Sequence, residues 1–213
     1  MQTSPAEFHR QLRSVFAILR TLVRQSAEGH VEVDDYVAHL EGRIGSLARA
    51  HEILMRAPPE GVDLQEMVCG ELLSQALLDE QFKVDGPAIR VSREATAAIA
   101  LALHELTVNA MTHGALARRG GRVIVSWSTQ QQDGADSLHF IWAEHGGVLA
   151  HPTRRGFGWE LFERMLPYEL NARTALEFSN EGLRAQFSMP ATATSPTWQL
   201  DTVDPKRPRT EGS

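Results

Sequence analysis

Apolar residues recur every three or four positions through the first quarter of the chain. Phe8, Leu12, Val15, Leu19 and Leu22 share one helical face, and Val37, Leu40, Ile44, Leu47, His51 and Leu54 share another. That period marks a helix burying one side. Pro5, after Ser4, sits just inside the first helix, and Gly29 stops it; Pro58-Pro59 ends the second. Two helices of about 25 residues joined by a short loop predict an antiparallel hairpin over residues 1–58. One hairpin buries only one seam, so its remaining stripe is expected to meet a second copy or the rest of the chain. A homodimeric four-helix bundle is the arrangement we expect, with His51 on the stripe as a packed or interface residue.

From residue 60 to 190 the pattern changes. A helix near 64–78 (Leu64, Met67, Val68, Leu72) leads to a short strand at Phe82-Lys83-Val84, and a long apolar helix follows from Ser92 to Ala115. Strict alternation at 122–129 (RVIVSWST) and 137–144 (SLHFIWAE) predicts strands around a QQQDGAD loop. A helix at 158–167 and strands at 174–178 and 183–188 complete the unit. Helices and strands mix without a βαβα rhythm, which predicts an α+β sandwich with helices on one face of a mixed sheet. Residues 191–213, rich in Thr, Pro and charge, read as a disordered tail.

Composition narrows the function classes. The 213 residues are 42% hydrophobic and 23% charged, enough for a real core. Charges throughout leave no window for a membrane span, and the N-terminus has no apolar export segment. One cysteine, Cys69, allows neither an internal disulfide nor a thiolate cluster, so a cytoplasmic setting is the expectation. A net charge of −6 argues against nucleic acid as a partner. All basic residues except Lys83 and Lys206 are arginine, the better fork for phosphate.

Three stretches carry candidate chemistry. In His104-Glu105-Leu106-Thr107-Val108-Asn109, the carboxylate and amide lie four apart and share a helix face. An amide carbonyl can ligate Mg²⁺ while a carboxylate orients a water; a polar stripe on a half-buried helix has the same pattern. Trp142-Ala143-Glu144-His145-Gly146-Gly147 puts a carboxylate at a strand end, able to accept from an exocyclic amine such as that of adenine. Arg154-Arg155-Gly156-Phe157-Gly158 opens a helix, where free N–H groups and arginines could clamp phosphates. The stretch lacks the strand-first order of a Rossmann fingerprint and the lysine of a P-loop.

The order of these stretches resembles the N, G1 and G2 boxes of the histidine kinase ATP-binding domain, in its HWE branch. His104 is similar to that family's N-box histidine, Trp142 and Glu144 to its Trp-x-Glu, Gly114-Ala115-Leu116 to its Gly-Ala-Leu run, and Gly156 to Gly158 to its Gly-Phe-Gly. The first helix resembles its His-Arg motif at His9-Arg10, with Leu12 and Arg13 where Lys and Asn are usual. Thr112-His113 replaces the usual Lys-Tyr, and Val148 the proline after the glycines. The resemblance spans residues 7–190. It implies a transmitter module: a hairpin followed by a Bergerat-type ATP-binding domain over 60–190.

By that resemblance Asn109 would hold Mg²⁺ and Glu105 would act beside it. Glu144 would take the adenine amine. His113, Gly146, Arg155, Gly156, Phe157 and Gly158 would line the ATP site, under a lid over 146–156. His9 would accept the γ-phosphoryl group and pass it to a response-regulator aspartate, and an exposed imidazole with a pKa near about 6.5 is neutral enough to attack. Only eight residues precede His9, so input is expected from a partner protein (a separate sensor or activator), from the dimer state, or not at all. The altered first motif and the missing lysine favour a second reading, a phosphotransfer or adaptor protein on this scaffold. A third, an anti-sigma-type serine kinase, leaves the hairpin unexplained.

Overall fold

The computed structural model describes residues 33–75, 79–132, 135–146 and 156–190. The predicted first helix with His9, the segment bearing Arg154 and Arg155, and the predicted tail lie outside these residues.

The second hairpin helix is observed as α1 (Val33–Arg56). Its last turn is closed by Arg93, whose Nη1 donates to the Leu54 carbonyl at 3.1 Å, a cation satisfying an otherwise open helix end. The helix buries its apolar stripe only in part against the residues that follow: Leu40, Leu47 and Leu54 are partly buried against the core. Val37, Ile44 and Met55 are 42%, 46% and 68% exposed, and His51 is exposed as well. The most deeply buried positions of the helix are Arg43, Ser46 and Ala50. His51 is therefore not packed against the following domain, which the helix meets through these positions together with the leucines beside them.

Beyond α1, the short strand β1 (Val62–Asp63) leads into α2 (Leu64–Ser74). Asp63 caps α2 by accepting from the Glu66 N–H at 3.0 Å. The helix ends at Ser74 rather than 78, with Gln75 as its C-cap. The strands β2 (Phe82–Asp85) and β3 (Arg90–Val91) precede the long helix α3 (Thr96–Thr112). β1 and β3 form a two-stranded antiparallel pair that the sequence pattern did not reveal. Two residues per strand are too few to show alternation.

The main sheet has the order β2-β4-β5-β7-β6, with β4 (Arg122–Gln132), β5 (Ala135–His145), β6 (Arg173–Ser179) and β7 (Gly182–Pro190). β2 runs parallel to β4, and the other pairs are antiparallel. β4 and β5 each reach into the expected QQQDGAD loop, pairing Gln132 with Ala135. Between β5 and β6, the helical run passes from α4 (Phe157–Glu160) through a π turn (Leu161–Met165) into α5 (Leu166–Leu170). Pro167 lacks an N–H, so the ladder has to change register near it.

Alternation along the strands fixes the layers. Val123, Val125 and Trp127, then Leu138, Phe140 and Trp142, then Leu183, Ala185, Phe187 and Met189 are all buried. Ile124, Ile141 and Gln186, between them, are only partly buried. Phe140 stacks on Phe187 at 4.8 Å and faces Trp127 at 6.5 Å. The buried sheet face shares one apolar core with α2, α3 and the α4–α5 run. The described domain is thus α+β with helices on one side of a mixed sheet, as the pattern predicts.

Candidate nucleotide site

α3 is buried almost all round, because the sheet lies on one side of it and α1 and α2 on the other. Its start is set by Ser92, whose Oγ accepts from the Ala95 N–H at 3.2 Å while its carbonyl accepts from Thr96 Oγ1 at 3.0 Å. Polar side chains on so enclosed a helix must find partners. Glu105 finds Arg43 of α1: Nε donates to Oε1 at 2.6 Å and Nη2 to Oε2 at 3.2 Å. The guanidinium carbon also lies 4.2 Å above the centre of the Phe157 ring. One turn along α3, half-buried Asn109 lies against Gly158, where an added Cβ would come within 3.2 Å of its Nδ2 and 3.6 Å of Glu105 Oε2. Four expected site residues, Glu105, Asn109, Phe157 and Gly158, are therefore gathered at one corner. Gly156 borders that corner, with no atom of the described residues within 4 Å of where its Cβ would be.

The other end of the site is built on Glu144, which is 3% exposed at the end of β5. Its Oε2 accepts from the Ala115 N–H at 2.8 Å, and Oε1 accepts from Trp142 Nε1 at 3.4 Å. The Gly114-Ala115-Leu116 run thus has a physical cause. A side chain at Gly114 would collide with the Glu144 carboxylate and come within 2.8 Å of the Ala110 Cα. Burial pushes the Glu144 carboxyl up, and the hydrogen bonds from Ala115 and Trp142 only partly offset this. Gly146 follows with φ 89°, its Cβ position 3.3 Å from the Gly121 Cα. His113 ends α3 exposed, its N–H donating to the Asn109 carbonyl at 2.9 Å.

His104 turns away from both ends. Its Nδ1 lies 2.8 Å from Glu71 Oε1, and Arg49 Nη2 donates to Glu71 Oε2 at 2.6 Å. Ser46 Oγ contacts Glu71 Oε2 at 3.3 Å and the Ala100 carbonyl at 3.1 Å. Burial alone would raise the Glu71 carboxyl, but hydrogen bonds and charge from His104 and Arg49 outweigh it and hold it below the usual range. Gly42 leaves room for the ring, since a Cβ there would sit 2.8 Å from His104 Nε2. The N-box histidine is thus part of a joint between α1, α2 and α3.

Arg43, Arg49 and Glu71 were not among the expected functional residues. The available signal was the polar stripe Arg43, Ser46, Arg49 at three-residue steps, running beside the apolar one.

Among the described residues, no group of three or more His, Cys, Asp or Glu side chains could hold a metal ion. No described helix is long and apolar enough to cross a membrane.

The sheet order, the Glu105/Asn109 helix behind it and the glycine-opened helical run give the fold seen in solved histidine kinase domains. A solved histidine kinase domain of the Erythrobacter litoralis EL346 blue-light activated histidine kinase matches with a TM-score of 0.52 at 16% identity, covering 83% of each chain. A longer structure of that protein gives 0.60 at 15% identity, covering 89% of this chain and 61% of the other. At such identities the likeness is one of fold. The HWE histidine kinase family profile matches residues 7–88, from the predicted first helix through β2. The blue-light-activated histidine kinase of Brucella anthropi is 28% identical over 190 residues, or 88% of this chain. The chain is thus similar to HWE histidine kinases, by the family profile over residues 7–88 and by the 28% identity to that relative. It spans 38% of the length of that curated relative.

Proposed function

We propose that this chain is the ATP-dependent transmitter part of a protein-histidine kinase, with its nucleotide between Glu144 and the Asn109/Gly158 corner. The observation that carries the reading is that corner. A half-buried amide on α3 lies against Gly158, where a side chain would crowd it, and beside Gly156, whose Cβ position meets no described atom within 4 Å; two glycines leave the backbone donors of the turn open to a phosphate. Glu144 would accept the adenine amine on its lightly engaged Oε1. Asn109 would hold Mg²⁺, which supplies charge neutralisation for the phosphates. Gly146, Arg155, Gly156, Phe157 and His113 complete the proposed lining.

In the proposed reaction a ring nitrogen of His9 attacks the γ-phosphorus. A nitrogen–phosphorus bond forms, the bond from phosphorus to the β–γ bridging oxygen breaks, and ADP leaves. The attacking nitrogen is the unprotonated one, and the proton on the other ring nitrogen passes to solvent. Such transfer depends mainly on positioning and charge neutralisation. The phosphoryl group then passes to an aspartate of a response regulator, and the hairpin of residues 1–58 is the dimerisation and acceptor element.

Incubation with γ-labelled ATP and Mg²⁺ tests this. We expect an acid-labile, base-stable label in the wild type that is lost in His9→Ala and in Asn109→Ala. Label persisting in His9→Ala would move the acceptor; no label in the wild type would contradict autokinase activity.

A further inference from the structure

We propose that Arg43, carried by α1, is a positioning residue of the nucleotide site: by neutralising Glu105 it keeps a buried carboxylate from repelling the triphosphate. The inference rests on the Mg-ATP reading above and assigns a role there to a residue of the hairpin.

The geometry is specific. Both side chains are nearly withdrawn from water, at 7% exposure for Arg43 and 10% for Glu105. They come from positions 62 residues apart, in the hairpin helix and the N-box helix, and meet fork to fork. The same guanidinium covers Phe157, the residue between the two glycines of the turn. One cation therefore ties α1, α3 and the start of α4 together, beside the open space at Gly156.

The electrostatics follow. A ligand carrying several negative charges against the Gly156–Gly158 turn meets Glu105 within the same corner, where low exposure weakens solvent screening. With Arg43 in place the pair sums to no net charge. Without Arg43 a buried, unpaired carboxylate faces the phosphates. Without Glu105 the corner loses a negative charge. A contact that served only to staple two helices would lose affinity on either change; an electrostatic one gives opposite signs.

Calorimetric titration of the full chain with Mg-ATP, and by displacement with uncharged adenosine, separates the two. Arg43→Gln is expected to weaken Mg-ATP binding at least about tenfold while adenosine changes less than about twofold. Glu105→Gln is expected to bind Mg-ATP at least as tightly as wild type. The double variant should recover to within about threefold of wild type, the non-additivity of a coupled pair. Equal losses in both single variants without recovery in the double, or an Arg43→Gln protein that binds like wild type, would overturn the proposal. Should Arg43→Gln not fold, Glu105→Gln and the double variant carry the test, since neither leaves a bare buried carboxylate. A loss of about tenfold in either overturns it. A wild type that binds no Mg-ATP removes the nucleotide reading itself, and this inference with it.

Discussion

Glu71 and Glu144 are buried to a similar depth, yet their surroundings drive them in opposite directions. Glu71, at the joint with α1, has Arg49 on one oxygen and His104 on the other, and its carboxyl is held down. Glu144, at the end of β5, has neutral donors alone among the described residues, a backbone N–H and an indole N–H, and its carboxyl is pushed up. A charge fully answered by cations is committed to holding helices together. A charge answered only by dipoles keeps an unspent capacity to accept a hydrogen bond. Burial alone does not distinguish a structural carboxylate from a candidate binding one; the partners do.

The most severe way to break the comparison is Glu71→Ala. It leaves His104 and Arg49 without their shared acceptor, and breaking a buried pair costs about 3–5 kcal/mol. Urea denaturation is the readout, and a cost below about 1 kcal/mol would show that the joint relaxes around the loss.

Gly114→Ala is next. The new methyl meets the Glu144 carboxylate and the Ala110 backbone, so an overpacking cost of about 1–3 kcal/mol is expected. Repeating it in a Glu144→Ala background should lower the cost but not abolish it, because the clash with Ala110 remains.

Acidification sharpens the contrast by sign. The Glu71 carboxyl is lowered in the folded state, so its contribution is present above the unfolded value of about 4.3 and is lost as pH falls through the folded value. The Glu144 carboxyl is raised, so its contribution is fully present below the unfolded value and is lost as pH rises through the folded one. Melting curves against pH should therefore show wild type losing ground to Glu71→Gln on acidification and gaining ground on Glu144→Gln. Parallel curves for both variants would contradict the assigned surroundings.

Trp142→Phe tests the indole donor. It removes one long donation at 3.4 Å, at about 0.5–1.5 kcal/mol, and adds a cavity cost because Trp142 is fully buried. It should also push the Glu144 carboxyl further up, visible as a steeper pH dependence.

How much of this was legible in the sequence depended on the range of each interaction. Alternation such as Val123, Val125, Trp127 is a local signal, and it located β4, β5, β6 and β7 to within a few residues. The α3 stretch and the Glu105/Asn109 spacing were likewise readable from one face of one helix. What stayed hidden was pairing at a distance. Nothing in the neighbourhood of Arg43 announces a carboxylate 62 residues on, and nothing near Glu71 announces His104, 33 residues away. Counting only apolar positions on α1 picked the stripe that stays partly exposed and passed over Arg43, Ser46 and Arg49. A buried polar face is invisible to hydrophobic periodicity because its partners, not its own character, remove it from water.

The most direct test of the central claim is the melting temperature of the wild-type chain with Mg-ATP, beside Mg-GTP and beside Glu144→Ala with Mg-ATP. At about 100 times its dissociation constant, a ligand bound by the folded state adds roughly 2.7 kcal/mol. The account predicts an upward shift of several degrees with Mg-ATP, a much smaller one with Mg-GTP, and loss of the Mg-ATP shift in Glu144→Ala. No shift in the wild type, or the same shift with either nucleotide and in Glu144→Ala, would contradict an adenine nucleotide held by Glu144.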